Sequence, residues 1–98
     1  MSIRHMVVFN LKPEAEGGAG EDAFFSKAEE LLWPIPHATN ILRCRQTNAM
    51  CPYENGFSFD FDSQSDYDAY NTHPDHLKFV EEWWKTQVSE FMEVDFSY

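Results

Sequence analysis

Gly56-Phe57-Ser58-Phe59-Asp60-Phe61-Asp62-Ser63-Gln64-Ser65-Asp66 changes its period in mid-course. Up to Asp62 it alternates, with Phe57, Phe59 and Phe61 on one side and Ser58 and Asp60 on the other. Side chains of a strand alternate between faces, so Gly56–Asp62 is predicted to be a strand with one aromatic face. Ser63-Gln64-Ser65-Asp66 then reads as a capping box with Asp66 in place of Glu or Gln, so a helix is expected to run from Ser63 to about Asn71. The stretch from Asp60 also has a partial likeness to a calcium loop. Ser65 stands where that loop needs glycine, and Asn71 where it needs a bidentate glutamate, so a strand end and a helix cap are the preferred reading.

Downstream, Pro74 does not suit a helix interior but suits a first turn. A break near Thr72 or His73 is expected, then a longer helix from Pro74 to about Val88. Its apolar face is assigned to Leu77, Val80, Trp83, Trp84 and Val88, with Glu81-Glu82 as a solvated edge. Glu90–Tyr98 alternates Met92, Val94, Phe96 and Tyr98 against Glu93, Asp95 and Ser97, and closes the chain as a strand.

Upstream, Ile3–Lys12 reads as a strand. Ile3, His5, Val7, Phe9 and Leu11 share one face; Arg4, Met6, Val8 and Asn10 share the other, which is also partly apolar. Pro13–Gly20 reads as a surface loop. Glu21–Trp33 is predicted to be helical, with Phe24, Phe25, Ala28, Leu31 and Leu32 on one stripe. Pro34 and Pro36 stop it, and Ile41–Thr47 is assigned as a second strand.

The order is therefore β-α-β-β-α-β, an α+β chain of the ferredoxin-like type with a four-stranded antiparallel sheet. Two helices cover only one face of such a sheet. Met6 and Val8, with the phenylalanine ladder, argue that neither face is left wet. A second copy buried against the open face would meet that need. A chain of 98 residues fits one domain spanning 1–98. At that size folding buries only roughly 60–65% of the unfolded surface, so association would help.

Seventeen acids against seven bases give a formal charge of −10. Such a surface repels phosphate backbones and anionic bilayers, so neither nucleic acid nor membrane is expected as a partner. No apolar run approaches a membrane span, and the N-terminal residues read as strand rather than as a signal peptide. A cytoplasmic location is the default expectation. Cys44 and Cys51 are expected to be free thiols, since their spacing matches no common metal or redox motif. No metal or other cofactor is expected, and no phosphate loop, nucleophile elbow or CxxC is seen.

Three stretches resemble the stress-responsive dimeric A/B barrel proteins. Ile3-Arg4-His5-Met6-Val7-Val8-Phe9 is similar to their first strand. Tyr67-Asp68-Ala69-Tyr70-Asn71-Thr72-His73-Pro74-Asp75-His76-Leu77-Lys78-Phe79-Val80 resembles their most recognisable segment, a tyrosine three residues before His-Pro-x-His. Val94-Asp95-Phe96 looks like their last strand. The resemblance implies a ferredoxin-like protomer and a homodimer whose sheets form one α+β barrel. It also implies an acid/base pair, as in a plant polyketide cyclase of the family, which maps by motif onto Tyr70 and His76, with His5 in the same pocket. The wider superfamily includes small monooxygenases and haem-degrading enzymes; no haem-site pattern is recognisable here.

The residues themselves support a candidate pocket between sheet and helices. Taking His76 as zero on its helix, Val80 falls at about 40°, Trp83 near −20° and Trp84 near 80°. His76 thus points into the apolar face, where it is either a general base or a core histidine hydrogen-bonded to a neighbour. His5 approaches it if its strand face meets the helices. Tyr70 supplies a hydroxyl, or simply packs. Phe9, Phe24, Ala28, Val80 and Trp83 are assigned as ligand-binding walls. His73 is expected to cap the second helix, and His37 to lie in a loop. Binding of a small apolar or aromatic molecule is the leading expectation. The alternatives are a cofactor-free cyclase, isomerase or lyase with His76 as base, Tyr70 as donor and His5 as support, or a small monooxygenase.

Overall fold

A computed structural model describes all residues, Met1–Tyr98. Strand β1 (Ile3–Leu11) is followed by a 3-10 turn (Pro13–Ala15) and helix α1 (Gly18–Leu31). Strands β2 (Ala38–Arg45) and β3 (Asn55–Phe61) come next, then α2 (Gln64–Thr72) and α3 (Pro74–Phe79). Helix α3 runs on through a π turn (Val80–Trp84) and a short α4 (Lys85–Gln87) into β4 (Val88–Ser97). The four strands form one antiparallel sheet in the order β2-β3-β1-β4, the ferredoxin-like arrangement.

Register decides which face is which. Ile3, His5 and Val7 of β1 lie opposite Phe61, Phe59 and Phe57 of β3. These residues share one face, and the helices cover it. Phe9, Phe24, Phe57, Phe59, Phe61 and Phe79 are sealed there with Tyr70. The predicted α1 stripe of Phe24, Phe25, Ala28, Leu31 and Leu32 is buried as a whole. Truncating one such phenylalanine to alanine typically costs about 3–5 kcal/mol, comparable to the stability of a small domain.

Several expectations need correction. Helix α1 starts inside the predicted loop, where Gly17 and Gly18 at φ 70° and 58° turn the chain into its first turn. Val88 opens β4 rather than closing the helix. Leu77 is 54% exposed, and Phe79, absent from the predicted apolar face, is buried instead. Strand β2 begins at Ala38, earlier than Ile41, with a register irregularity between Thr39 and Leu42.

The other face of the sheet carries Met6 and Val8 of β1, opposite Val94 and Met92 of β4, with Arg4 opposite Phe96. Met92 and Phe96 are 53% and 58% exposed. The phenylalanine ladder therefore belongs wholly to the covered face, and the apolar character of the open face comes from β4 together with Met6 and Val8 of β1. No helix is long and apolar enough to cross a membrane.

Candidate functional site

Between the sheet and the α2–α3 layer lies a cavity of about 350 Å³. Its apolar walls include Val7, Phe57, Phe59, Phe79, Val80 and Trp84, and its polar groups are His5, Tyr70, Asn71, His76, Lys85 and Glu93.

The geometry of His76 starts at Pro74, which has no N–H to give to the Tyr70 carbonyl; the His73 N–H bonds that carbonyl instead, at 3.2 Å. The next amide, Asp75 N–H, is captured by the His73 ring at 3.1 Å, the capping role expected of that residue. The Asn71 carbonyl, its ordinary helical partner, is thereby free, and His76 Nδ1 takes it at 3.0 Å. A carbonyl only accepts, so Nδ1 carries the hydrogen and Nε2 keeps its lone pair. Burial pushes the His76 pKa below the ordinary histidine value, and nearby His5 and His73 add to the shift against a partial offset from the Asn71 bond. The Tyr70 ring lies 4.8 Å from the His76 ring, centroid to centroid. Burial raises the Tyr70 pKa, with the neighbouring Tyr67 charge adding to it, so Tyr70 is a phenol at neutral pH.

His5 reaches the cavity from β1. It is 5% exposed and lies against Phe59, with ring centroids 5.6 Å apart. Its Nδ1 lies 2.5 Å from Asp95 Oδ1 and 2.9 Å from the Tyr67 hydroxyl. His5, Tyr70 and His76 thus border one cavity, together with Val80.

The other assigned walls lie elsewhere. Phe9, Phe24 and Ala28 have no exposed surface and do not border the cavity. Phe9 packs against Phe24, Phe57 and Trp84 at centroid distances of 5.8, 5.1 and 4.8 Å, which leaves no open volume beside it. Trp83 is replaced by Trp84. A π turn advances roughly 80° per residue instead of 100°, which brings Trp84 to about the phase of His76 and carries Trp83 away.

Sequence reasoning also missed Tyr67, Asp95, Phe91 and Glu93. Phe91, Glu93 and Asp95 pair with Phe9, Val7 and His5 across β1 and β4, so they share the covered face. Had the two terminal strands been paired in register, Asp95 would have appeared beside His5. His37 is in a loop at φ 90° and contacts Asp66 at 3.3 Å. The stretch compared with a calcium loop ends β3 and caps α2, Ser63 Oγ accepting from Asp66 N–H at 3.2 Å. Cys44 and Cys51 are free thiols.

Known proteins share this fold. No curated protein matches the sequence. A Dabb family protein with a ferredoxin-like fold from Mesorhizobium loti is similar at 38% identity and a TM-score of 0.94, over 99% of this chain and 96% of that one. A dimeric ferredoxin-like protein of unknown function from Thermobifida fusca has 20% identity and a TM-score of 0.81, over 100% and 92%. A hydroxynitrile lyase from Passiflora edulis has 14% identity and a TM-score of 0.79, over 97% and 91%. The last two are likenesses of fold. The stress responsive A/B barrel domain profile matches residues 3–98, and the chain belongs to that family.

Proposed function

We propose that the protein works as a homodimer in which each chain binds one small molecule, with an apolar body and a polar head, in the cavity between sheet and helices. The observation that carries this reading is the collection of His5, Tyr70 and His76 on one otherwise aromatic and aliphatic cavity. A few convergent polar groups orient a ligand, and the apolar walls supply most of its burial. The dimeric relative from Thermobifida fusca supports the pairing.

A second reading, proton-transfer catalysis, is favoured by the tautomer of His76. Its Nδ1–H is held by the Asn71 carbonyl, and burial keeps the ring neutral, so Nε2 is available as a base. Tyr70 is the donor beside it. The Passiflora protein of the same fold is a hydroxynitrile lyase, so the frame is compatible with catalysis.

One experiment with two readouts tests both. A panel of small phenols, enols and aromatic acids is screened by thermal shift on wild type and His76→Ala. Wild type is expected to be stabilised by at least one compound, and the variant less so; a panel that stabilises neither overturns the binding reading. In parallel, 5-nitrobenzisoxazole reports a base. Removal of its C3 proton breaks the N–O bond and leaves the electron pair on the phenolate oxygen. Wild type is expected to open the ring faster than an equal concentration of imidazole, and His76→Ala to lose about tenfold or more. A rate no higher than free imidazole overturns the second reading.

A further inference from the structure

On the side of His5 away from the cavity stands a cluster that the acid/base pair does not use. The Tyr67 hydroxyl donates to Asp95 Oδ1 and Oδ2 at 3.2 and 3.1 Å, while Asp95 Oδ1 also lies 2.5 Å from His5 Nδ1. Tyr67 and Asp95 border a separate groove of about 230 Å³ with Gln64 and Ser97; His5 borders the inner cavity. The His5 ring is therefore part of the wall between the two spaces. The Asp95 side chain is 42% exposed, against 7% for that of His5, so Asp95 is the solvent-facing end of the pair and His5 the buried one.

A carboxylate accepts and does not donate, so the hydrogen between His5 and Asp95 sits on Nδ1. The ring edge left to the cavity is the one bearing Nε2. We infer that Asp95 and Tyr67 are positioning residues that hold the His5 proton on Nδ1 and present Nε2 to the cavity as a second proton acceptor, complementary to His76. This rests on the proton-transfer reading of the cavity. When Nε2 takes a proton from a ligand, the ligand keeps the electron pair, and the imidazolium formed faces the Asp95 carboxylate. The ionisable groups around His5 are Tyr67 and Tyr70 from α2, Asp95 and Glu93 from β4, and His76 from α3; β3 contributes the uncharged Phe59. Only Asp95 and Tyr67 bond to it. Tyr67 remains a donor at neutral pH, because burial and then the Asp95 charge raise its pKa.

Long-range ¹⁵N spectra of the imidazoles, recorded on the full chain at alkaline pH, test the assignment without a ligand. Wild-type His5 is expected as the Nδ1–H form, the minority tautomer of a histidine free in water. Asp95→Leu is expected to convert it to Nε2–H. Asp95→Asn, whose carbonyl oxygen still accepts, is expected to keep Nδ1–H. Tyr67→Phe removes the hydroxyl that orients the Asp95 carboxylate and is expected to raise the Nε2–H share of His5. His76 is held by a backbone carbonyl, so its own Nδ1–H signal should persist in every variant and report an intact fold. Wild-type His5 found as Nε2–H overturns the inference, whether or not Asp95→Leu folds. So does a native-like Asp95→Leu with an unchanged His5. A compound panel that fails to bind while His5 behaves as described overturns the cavity reading alone.

Discussion

Pro74 has no backbone N–H, and the effect reaches two residues on, to a side chain. The amides that would have closed the helix turn are rerouted through His73, and the Asn71 carbonyl is left for His76. The helix break at Pro74 and the cap by His73 were legible in His73-Pro74-Asp75-His76, because they are local; the Asn71 carbonyl as the partner of His76 was not read. Nor were the partners of His5, because Asp95 is 90 residues away and only strand pairing brings it close. The depressed pKa of His76 has a measurable consequence. An unfolded histidine protonates near 6.5, and folded His76 only at lower pH. Between those values the unfolded chain binds more protons, so stability falls as pH drops through the window, and the loss is complete below the folded value. Urea unfolding of wild type and His76→Gln over a pH series should show the wild type losing stability more steeply below pH 6.5. Parallel curves would mean that His76 titrates as it does in the unfolded chain.

At the scale of elements, strands and caps were readable and winding was not. Alternation found the phenylalanine face of β3, and Ser63 caps α2 as its spacing suggested. Nothing in Val80-Glu81-Glu82-Trp83-Trp84 announces a π turn, since its i→i+5 bonds need no special residue. The uniform 100° wheel therefore misassigned Trp83. A π turn is equivalent to one residue inserted in an α-helix, and here the insertion brings Trp84 to the cavity while Glu81 and Glu82 stay exposed. Deleting Glu82 is expected to restore α winding with Trp84 still in place. The urea midpoint should then shift by no more than about 1 kcal/mol in stability, far less than the loss expected for deleting a residue from an ordinary helix interior. A deletion variant that fails to fold would show that the wider turn is itself required by the packing of Trp84 on Phe9 and Phe91.

Across the whole molecule, β4 serves two sides. Phe91, Glu93 and Asp95 face the helices, and Met92, Val94 and Phe96 face outward beside Met6 and Val8. Burying one large apolar side chain contributes roughly 1.5–3 kcal/mol, so a two-fold pairing of this stripe gains on both copies at once. The apolar character of the open face was readable from Met6 and Val8. Its centre on β4 was not, because which alternating set of a terminal strand faces inward depends on register. Val94 tests the proposed pairing at its middle, directly opposite Met6 and on the side of the strand away from the cavity. Val94→Asp is expected to sediment as a monomer with unchanged far-ultraviolet dichroism, while wild type sediments as a dimer. Charge adds a second signature. Two chains each of formal charge −10 repel over distances that salt screens, so the wild-type dimer should tighten as ionic strength rises. A wild type that stays monomeric at high salt would leave the β4 stripe to another partner and remove the dimer from the proposed function.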